Sequence, residues 1–267
     1  MNFELRRTLN SDLIVEARGA VLGVTLNRPA KRNALTGAML AQLAAVFADV
    51  AARRDLRAVI LRAAGPDFCA GTDINELTEL DEAGARRKAA EGQAVCDAIE
   101  LCGTPVVAAV QGAAAGGGCE LALACHLRVA ARDASFRLPE VELGVIPAYG
   151  GTQRLARLTG PGRAFAALLA GDDLTAAEAL RLGLVQSVHA PADLPAAADR
   201  LAAAITETAA PLAVRACLEA VTRGARLPLA EGLQLEAELF GRLFATADVR
   251  EGTRAFLEKR RPEFKGQ

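Results

Sequence analysis

An α/β fold is what this sequence predicts, and three observations carry that reading. Short apolar runs recur at 58–62, 106–110, 127–131 and 185–188, each of the length and composition of a buried strand. Helical stretches separate them, so strand and helix alternate along the chain. Small, glycine-rich junctions follow two of the runs, Gly65–Asp73 (GPDFCAGTD) and Gln111–Gly118 (QGAAAGGG). Taken alone, this alternation favours a doubly wound parallel sheet.

Each element has its own local signal. Leu13–Val15 and Val21–Leu26 form a hairpin that ends at Pro29. Thr36 caps a helix whose apolar face is Met39, Leu40, Leu43, Val46, Phe47 and Val50. The run at 58–62 leads into the first junction, where Asp73 is placed to cap a helix start. The run at 106–110 leads through small residues into a helix opening at Gly116-Gly117-Gly118, with Glu120 in its first turn. Thr175–Glu178 (TAAE) is a capping box that opens a short helix before Gly183. Beyond Pro195 the chain turns into Ala-rich helices without a strand signal. The expected organisation is a core over 1–195 and a helical region over 196–267.

Composition narrows the class. Of 267 residues, 52% are hydrophobic and only 4% aromatic, so a sizeable core must be packed by Ala, Leu and Val. The net charge of −1, without a long basic block, argues against nucleic acid or an anionic membrane as the main partner. No apolar N-terminal segment reads as a signal peptide, and no uncharged stretch is long enough to cross a bilayer. Six cysteines (69, 96, 102, 119, 125, 217) form no CxxC pair, and His126 and His189 lie far apart. No metal site is expected, and a reduced, cytoplasmic setting is. Cys69 and Cys119 read as small apolar packing groups, and His126 as structural.

The two junctions suggest chemistry. The first N–H groups of a helix lack internal partners, and glycine lets a ligand approach the backbone closely. Such a site, aided by the helix dipole, stabilises developing negative charge. One N–H from Thr72 and one from Gly117 could converge on a single oxygen. A thioester becoming an enolate needs that arrangement, and losing one such donor typically costs ~10²–10³ in rate.

The segments NRPAKRNALT (27–36), FCAGTDINEL (68–77), GGGCELALAC (116–125), LPEVELGVIPAYGGTQRL (138–155) and REGTRAFLEKRRPEF (250–264) together resemble the enoyl-CoA hydratase, or crotonase, family. They run in family order across nearly the whole chain. The resemblance implies a spiral of β-β-α turns in place of the doubly wound sheet, with a C-terminal helical region that mediates trimerisation and completes a neighbour's site. It makes the N–H groups of Thr72 and Gly117 an oxyanion hole, and Glu120 and Glu140 the catalytic carboxylates. Both positions are Glu in members that hydrate 2-enoyl-CoA, and one or both differ in many relatives. Glu140 is then the group that protonates Cα, and Glu120 the one that deprotonates water. Two adjacent carboxyls cannot both ionise cheaply, which suits an acid–base pair.

By matching position, Ala70, Asp73, Ala148, Tyr149 and Phe240 belong to the substrate site. Lys31, Arg32, Phe256 and Lys259 belong to the coenzyme A site. Three positions depart from the family pattern: Thr72 stands where Ala is common, Ala148 where many hydratases have Gly, and Tyr149 beside it. For Tyr149 two roles are open, contact with the acyl group or a packed aromatic with a satisfied hydroxyl. The resemblance implies an acyl-CoA substrate, no separate cofactor, and self-association as a trimer or dimer of trimers. The alternatives are an enoyl-CoA isomerase or another acyl-CoA enzyme and, less well supported, a non-catalytic RNA-binding relative.

Overall fold

The computed structural model describes residues 6–10 and 12–267. In chain order, β1 (Arg6–Asn10), β2 (Leu13–Arg18) and β3 (Val21–Leu26) make an antiparallel meander. Helix α1 (Gly37–Ala52) leads to β4 (Ala58–Ala63), which lies parallel to β3, and then to α2 (Glu82–Leu101). The next turn is β5 (Val106–Val110), β6 (Ala113–Ala115) and α3 (Gly117–Ala124). After it come β7 (Leu127–Ala131), β8 (Ser135–Arg137), α4 (Gly151–Thr159) and α5 (Pro161–Leu169). Then follow β9 (Leu174–Thr175), α6 (Ala176–Arg181) and β10 (Ser187–His189). The chain ends in α7 (Leu194–Thr208), α8 (Pro211–Gly224), α9 (Leu229–Leu243) and α10 (Ala247–Leu257).

The strands form two sheets, not one. Seven make a large sheet in the order β1-β2-β3-β4-β5-β7-β10, and three make a small one, β6-β8-β9. Twice in succession a large-sheet strand is followed by a small-sheet strand and a helix: β5-β6-α3, then β7-β8-α4. This is the β-β-α spiral, and the doubly wound sheet suggested by alternation alone is corrected. The small strands are two or three residues long and carry no periodic signal, so alternation could not reveal them.

Both faces of the large sheet are covered, and the pleat sorts its side chains accordingly. Val59, Leu61, Val106, Ala108 and Val110 face the main core with the buried stripe of α1, which is Met39, Leu40, Leu43, Val46, Phe47 and Val50 as expected. Ala58, Ile60, Val107, Ala109, Val129 and Ala131 face the opposite way, against Leu194, Ala198 and Ala202 of α7. The boundary drawn at residue 195 therefore falls inside α7, a helix that packs on the sheet. The Thr36 cap and the Thr175–Glu178 capping box are both formed. Asp73 caps a single 3-10 turn (Ile74–Glu76). The strand expected at 185–188 begins two residues later.

Two buried polar groups hold loops around the site. Asn33, fully buried with a φ of +57°, donates to the carbonyls of Ala64 and Asp67 at 2.8 and 2.9 Å and accepts from the Arg28 N–H at 2.8 Å. Asparagine is among the residues that tolerate this left-handed conformation. His126 is structural, as read: its Nδ1 accepts from Val106 N–H and its Nε2 meets the Glu100 carbonyl, both at 3.0 Å, and burial lowers its pKa.

Arg128 on β7 is buried without a carboxylate among its hydrogen-bond partners. It donates to the carbonyls of Ala122, Leu123 and Cys125 at the end of α3, and to that of Leu184. Its charge is balanced by the negative end of the helix that carries Glu120. Arg128→Ala leaves those carbonyls buried and unpaired, so unfolding free energy should fall by about 3 kcal/mol. Urea denaturation of the variant checks this.

Candidate active site

The small sheet brings the site together. Parallel bridges pair Cys69 with Ala114, and Ala114 with Phe136. Cys69 N–H donates to the Ala113 carbonyl at 3.0 Å, Ala115 N–H to Cys69 at 2.9 Å, and Gly116 N–H to Arg137 at 2.9 Å. Three chain segments thus advance side by side and release Thr72, Gly117 and Glu140 at the same end. Close backbone approach depends on glycine here. At Gly71 (φ +104°) a Cβ would sit 3.4 Å from Gly117 N, and at Gly118 it would lie 2.3 Å from the Cys69 carbonyl oxygen.

Thr72 and Gly117 N–H groups have no hydrogen-bond acceptor among the described residues. Gly117 is the first residue of α3, so its N–H also carries the positive end of the helix. Together they supply two free donors on neighbouring segments, since a Cβ at Gly71, the residue before Thr72, would lie 3.4 Å from Gly117 N.

Glu120 is 2% exposed, and its Oε1 accepts from Tyr149 N–H at 2.8 Å and Gly151 N–H at 2.7 Å. Burial pushes its pKa up from 4.5 to about 7; the Gly151 and Tyr149 N–H groups oppose that shift and the charge of Glu140 adds to it. Glu140, on the 3-10 turn Glu140–Leu143, is also raised, by burial. Its Oε1 lies 3.1 Å from where a Gly116 Cβ would be, and its buried Oε2 has no partner among the described residues. Two carboxyls with elevated pKa values near two free N–H groups form an arrangement suited to proton transfer.

Of the residues expected here, Ala70, Thr72, Gly117, Glu120, Glu140, Ala148 and Tyr149 are brought together. Ala148 has its carbonyl held by Gln93 Nε2 at 2.9 Å, and its N–H has no acceptor among the described residues. Asp73 lies beside them, but its carboxylate is engaged by Asn75 and by Arg28 at 3.3 Å. Tyr149 is a packed aromatic, 3% exposed, with its hydroxyl bonded to that of Thr72 at 2.9 Å.

Arg32 sits next to the site, since its carbonyl accepts from Ala70 N–H at 2.9 Å, while its guanidinium pairs with Asp67 at 2.7 Å. Lys31 is exposed on the turn before it. Among the described residues no side-chain hydrogen bond, ion pair or ring contact joins Phe240, Phe256 or Lys259 to the site; the two phenylalanines are 64% and 84% exposed. Cys69 and Cys119 are buried, with thiols raised by burial, and serve as packing groups.

Two positions escaped sequence reasoning. Gly92 of α2 leaves the slot that Tyr149 fills: a Cβ there would be 1.9 Å from the ring. Arg154 of α4 ties the Tyr149 carbonyl, at 3.0 Å, to Asp97 and Glu100 of α2 at 2.7 and 2.8 Å. The available signals were a helix-interior glycine and an arginine within GGTQRL.

One buried and one half-buried carboxyl beside two free backbone N–H groups suit an enzyme of thioester enolate chemistry. Known proteins agree. The family model for enoyl-CoA hydratase/isomerase matches residues 16–267, and the chain belongs to that family. It is 40% identical over 254 residues to a short-chain-enoyl-CoA hydratase of Clostridium acetobutylicum, covering 95% of this chain and 97% of that one. It is also 40% identical over 257 residues to a 2,3-dehydroadipyl-CoA hydratase of Escherichia coli, covering 96% and 100%. The crystal structure of an enoyl-CoA hydratase from Bacillus anthracis superposes with a TM-score of 0.92 at 38% identity, covering 96% of this chain and 100% of that one.

The raised pKa of Glu120 has a stability consequence. Between 4.5 and about 7 the folded state keeps a proton that the unfolded state gives up. Stability from this group is therefore complete below pH 4.5 and lost as pH rises through about 7. Glu120→Gln cannot lose it, so the variant should gain on wild type by about 3 kcal/mol between acidic and mildly alkaline pH. Urea unfolding at pH 5 and pH 8 measures the change.

Proposed function

We propose that the protein is an enoyl-CoA hydratase, adding water reversibly across the 2,3 double bond of a 2-enoyl-CoA to give a 3-hydroxyacyl-CoA. The single observation that carries this is the pair Glu120, buried, and Glu140, half-buried, both with a raised pKa and both near the free N–H groups of Thr72 and Gly117. The thioester oxygen sits between those two donors. Glu120, able to ionise near neutral pH, takes a proton from water, and the water oxygen bonds to C3. Charge moves onto the thioester oxygen as the C2–C3 double bond opens. Glu140 delivers a proton to C2 and the carbonyl re-forms. Glu120 then holds the water-derived proton and Glu140 is ionised, and exchange with solvent resets the pair. The free Ala148 N–H helps hold the attacking water.

Water held between two carboxyls separates hydration from double-bond migration, which shuttles one proton. Acyl-CoA is the substrate, and no separate cofactor takes part. Among the described residues no cluster of three or more His, Cys, Asp or Glu could hold a metal. Six unpaired cysteines support a reducing, cytoplasmic setting. Among the described residues no single helix is long and apolar enough to cross a membrane.

We assign the helices after α7 to self-association as a trimer or dimer of trimers. Leu229, Leu233, Phe240 and Phe244 of α9 and its end form an exposed apolar stripe, and Phe256 and Leu257 of α10 are exposed as well. Closed cyclic symmetry is the ordinary way to cover such faces. Lys31, Arg32 and, from a neighbour, Lys259 and Phe256 would then hold the coenzyme end, with Phe240 near the acyl chain.

Glu120→Gln and Glu140→Gln should each lower kcat by at least ~10²-fold. In H₂¹⁸O the wild type should place ¹⁸O in a 3-hydroxyacyl-CoA. Conversion of 3-enoyl-CoA to 2-enoyl-CoA without ¹⁸O uptake would make it an isomerase. Sedimentation at micromolar concentration should give a trimer or hexamer, and a monomer would remove the shared coenzyme site.

A further inference from the structure

One side chain reaches every part of this site. Tyr149 is the only tyrosine in a chain that has no tryptophan. One edge of its ring fills the slot at Gly92, and the other faces Gly117, where a Cβ would come within 2.9 Å of the ring. Its phenol is bonded to the Thr72 hydroxyl at 2.9 Å, and its own N–H donates to Glu120 Oε1 at 2.8 Å. Arg154 anchors its carbonyl at 3.0 Å. Tyr149 is therefore fixed at both ends and touches both oxyanion residues and the water-activating carboxylate.

The Thr72 backbone is bridged to Leu35, whose N–H donates to the Gly71 carbonyl and whose carbonyl accepts from Asp73 N–H, both at 2.8 Å. The Thr72 N–H itself is free, the residue before it is a glycine in a left-handed conformation, and the Thr72 side chain bonds to nothing but Tyr149 among the described residues, so the hydroxyl pair is the one tie from this peptide to the Glu120 side of the site. Donors stabilise an oxyanion only when held in place, and a misplacement of about 1 Å can cost 10²-fold in rate. An alanine at position 72 would supply the same N–H but leave the phenol unpaired in a buried slot.

Resting on the hydratase reading, we propose that the Thr72–Tyr149 hydroxyl pair is a positioning device, which locks the Thr72 oxyanion donor in register with Glu120. Neither hydroxyl touches the reacting atoms. The pair couples the loop that holds the thioester oxygen to the turn that holds the base, and it acts on the chemical step rather than on coenzyme binding.

The test is a double-variant cycle with Tyr149→Phe, Thr72→Val and the two combined, in the intact protein with a 2-enoyl-CoA substrate. Each single variant should lower kcat about 5- to 10-fold with KM changed less than about twofold. The combination should be no slower than the slower single variant, because one interaction is removed either way. Thr72→Ser, which keeps the hydroxyl, should recover most of the wild-type kcat. Unchanged kcat in the single variants, or multiplying losses in the double, would overturn the proposal. Should wild type itself fail to hydrate 2-enoyl-CoA substrates, the hydratase reading falls, and amide hydrogen exchange decides the pair. Tyr149→Phe must speed exchange of the 69–73 segment at least about fivefold, and unchanged exchange refutes the lock.

Discussion

The in-register alignment of three extended segments at Cys69, Ala114 and Phe136 is the constraint on which this site depends. Cys69 makes a single bridge to β6, and β6 pairs with β8 over only three positions, yet these bridges decide where Thr72, Gly117 and Glu140 emerge. A slip of one residue would turn Cys69 out of the core and rotate the Thr72 peptide away from Gly117. The glycines at 71 and 118 make that alignment possible, because each lies where a side chain would meet another backbone.

A second tension runs through α3. Its first turn holds a carboxylate in a dry environment, which costs stability whenever that carboxylate ionises. The helix answers at both ends. Gly151 and Tyr149 N–H groups meet Glu120, and Arg128 occupies the carbonyl end. The result is a carboxyl with its pKa pushed up to about 7, a range that suits the general base we propose it to be. Function here is held against a local loss of stability, and the surrounding core of tightly packed Ala, Val and Leu makes that tolerable.

Much of the architecture was legible in the sequence, and the reasons are local. The Thr36 cap, the apolar stripe of α1, the five-residue strand at 106–110 and the helix opening at Gly117 each rest on side-chain periodicity or capping within a few residues. Glu120, Glu140, Thr72 and Gly117 were singled out in the sequence because the family-like motifs surround them. The short strands β6, β8 and β9 were not found by pattern, since two or three residues carry no period and their pairing is long-range. Gly92 and Asn33 were missed for a related reason. A helix-interior glycine and a loop asparagine acquire meaning only from what lies opposite, Tyr149 in one case and the carbonyls of Ala64 and Asp67 in the other.

The central claim is that two backbone N–H groups, from Thr72 and Gly117, polarise a thioester carbonyl. It is tested most directly by the vibrational spectrum of a 2-enoyl-CoA labelled with ¹³C at the thioester carbonyl and bound to the Glu140→Gln variant. Two strong donors should move the carbonyl stretch to lower frequency than in solution. A bound thioester whose carbonyl stretch is the same as in water would contradict the account.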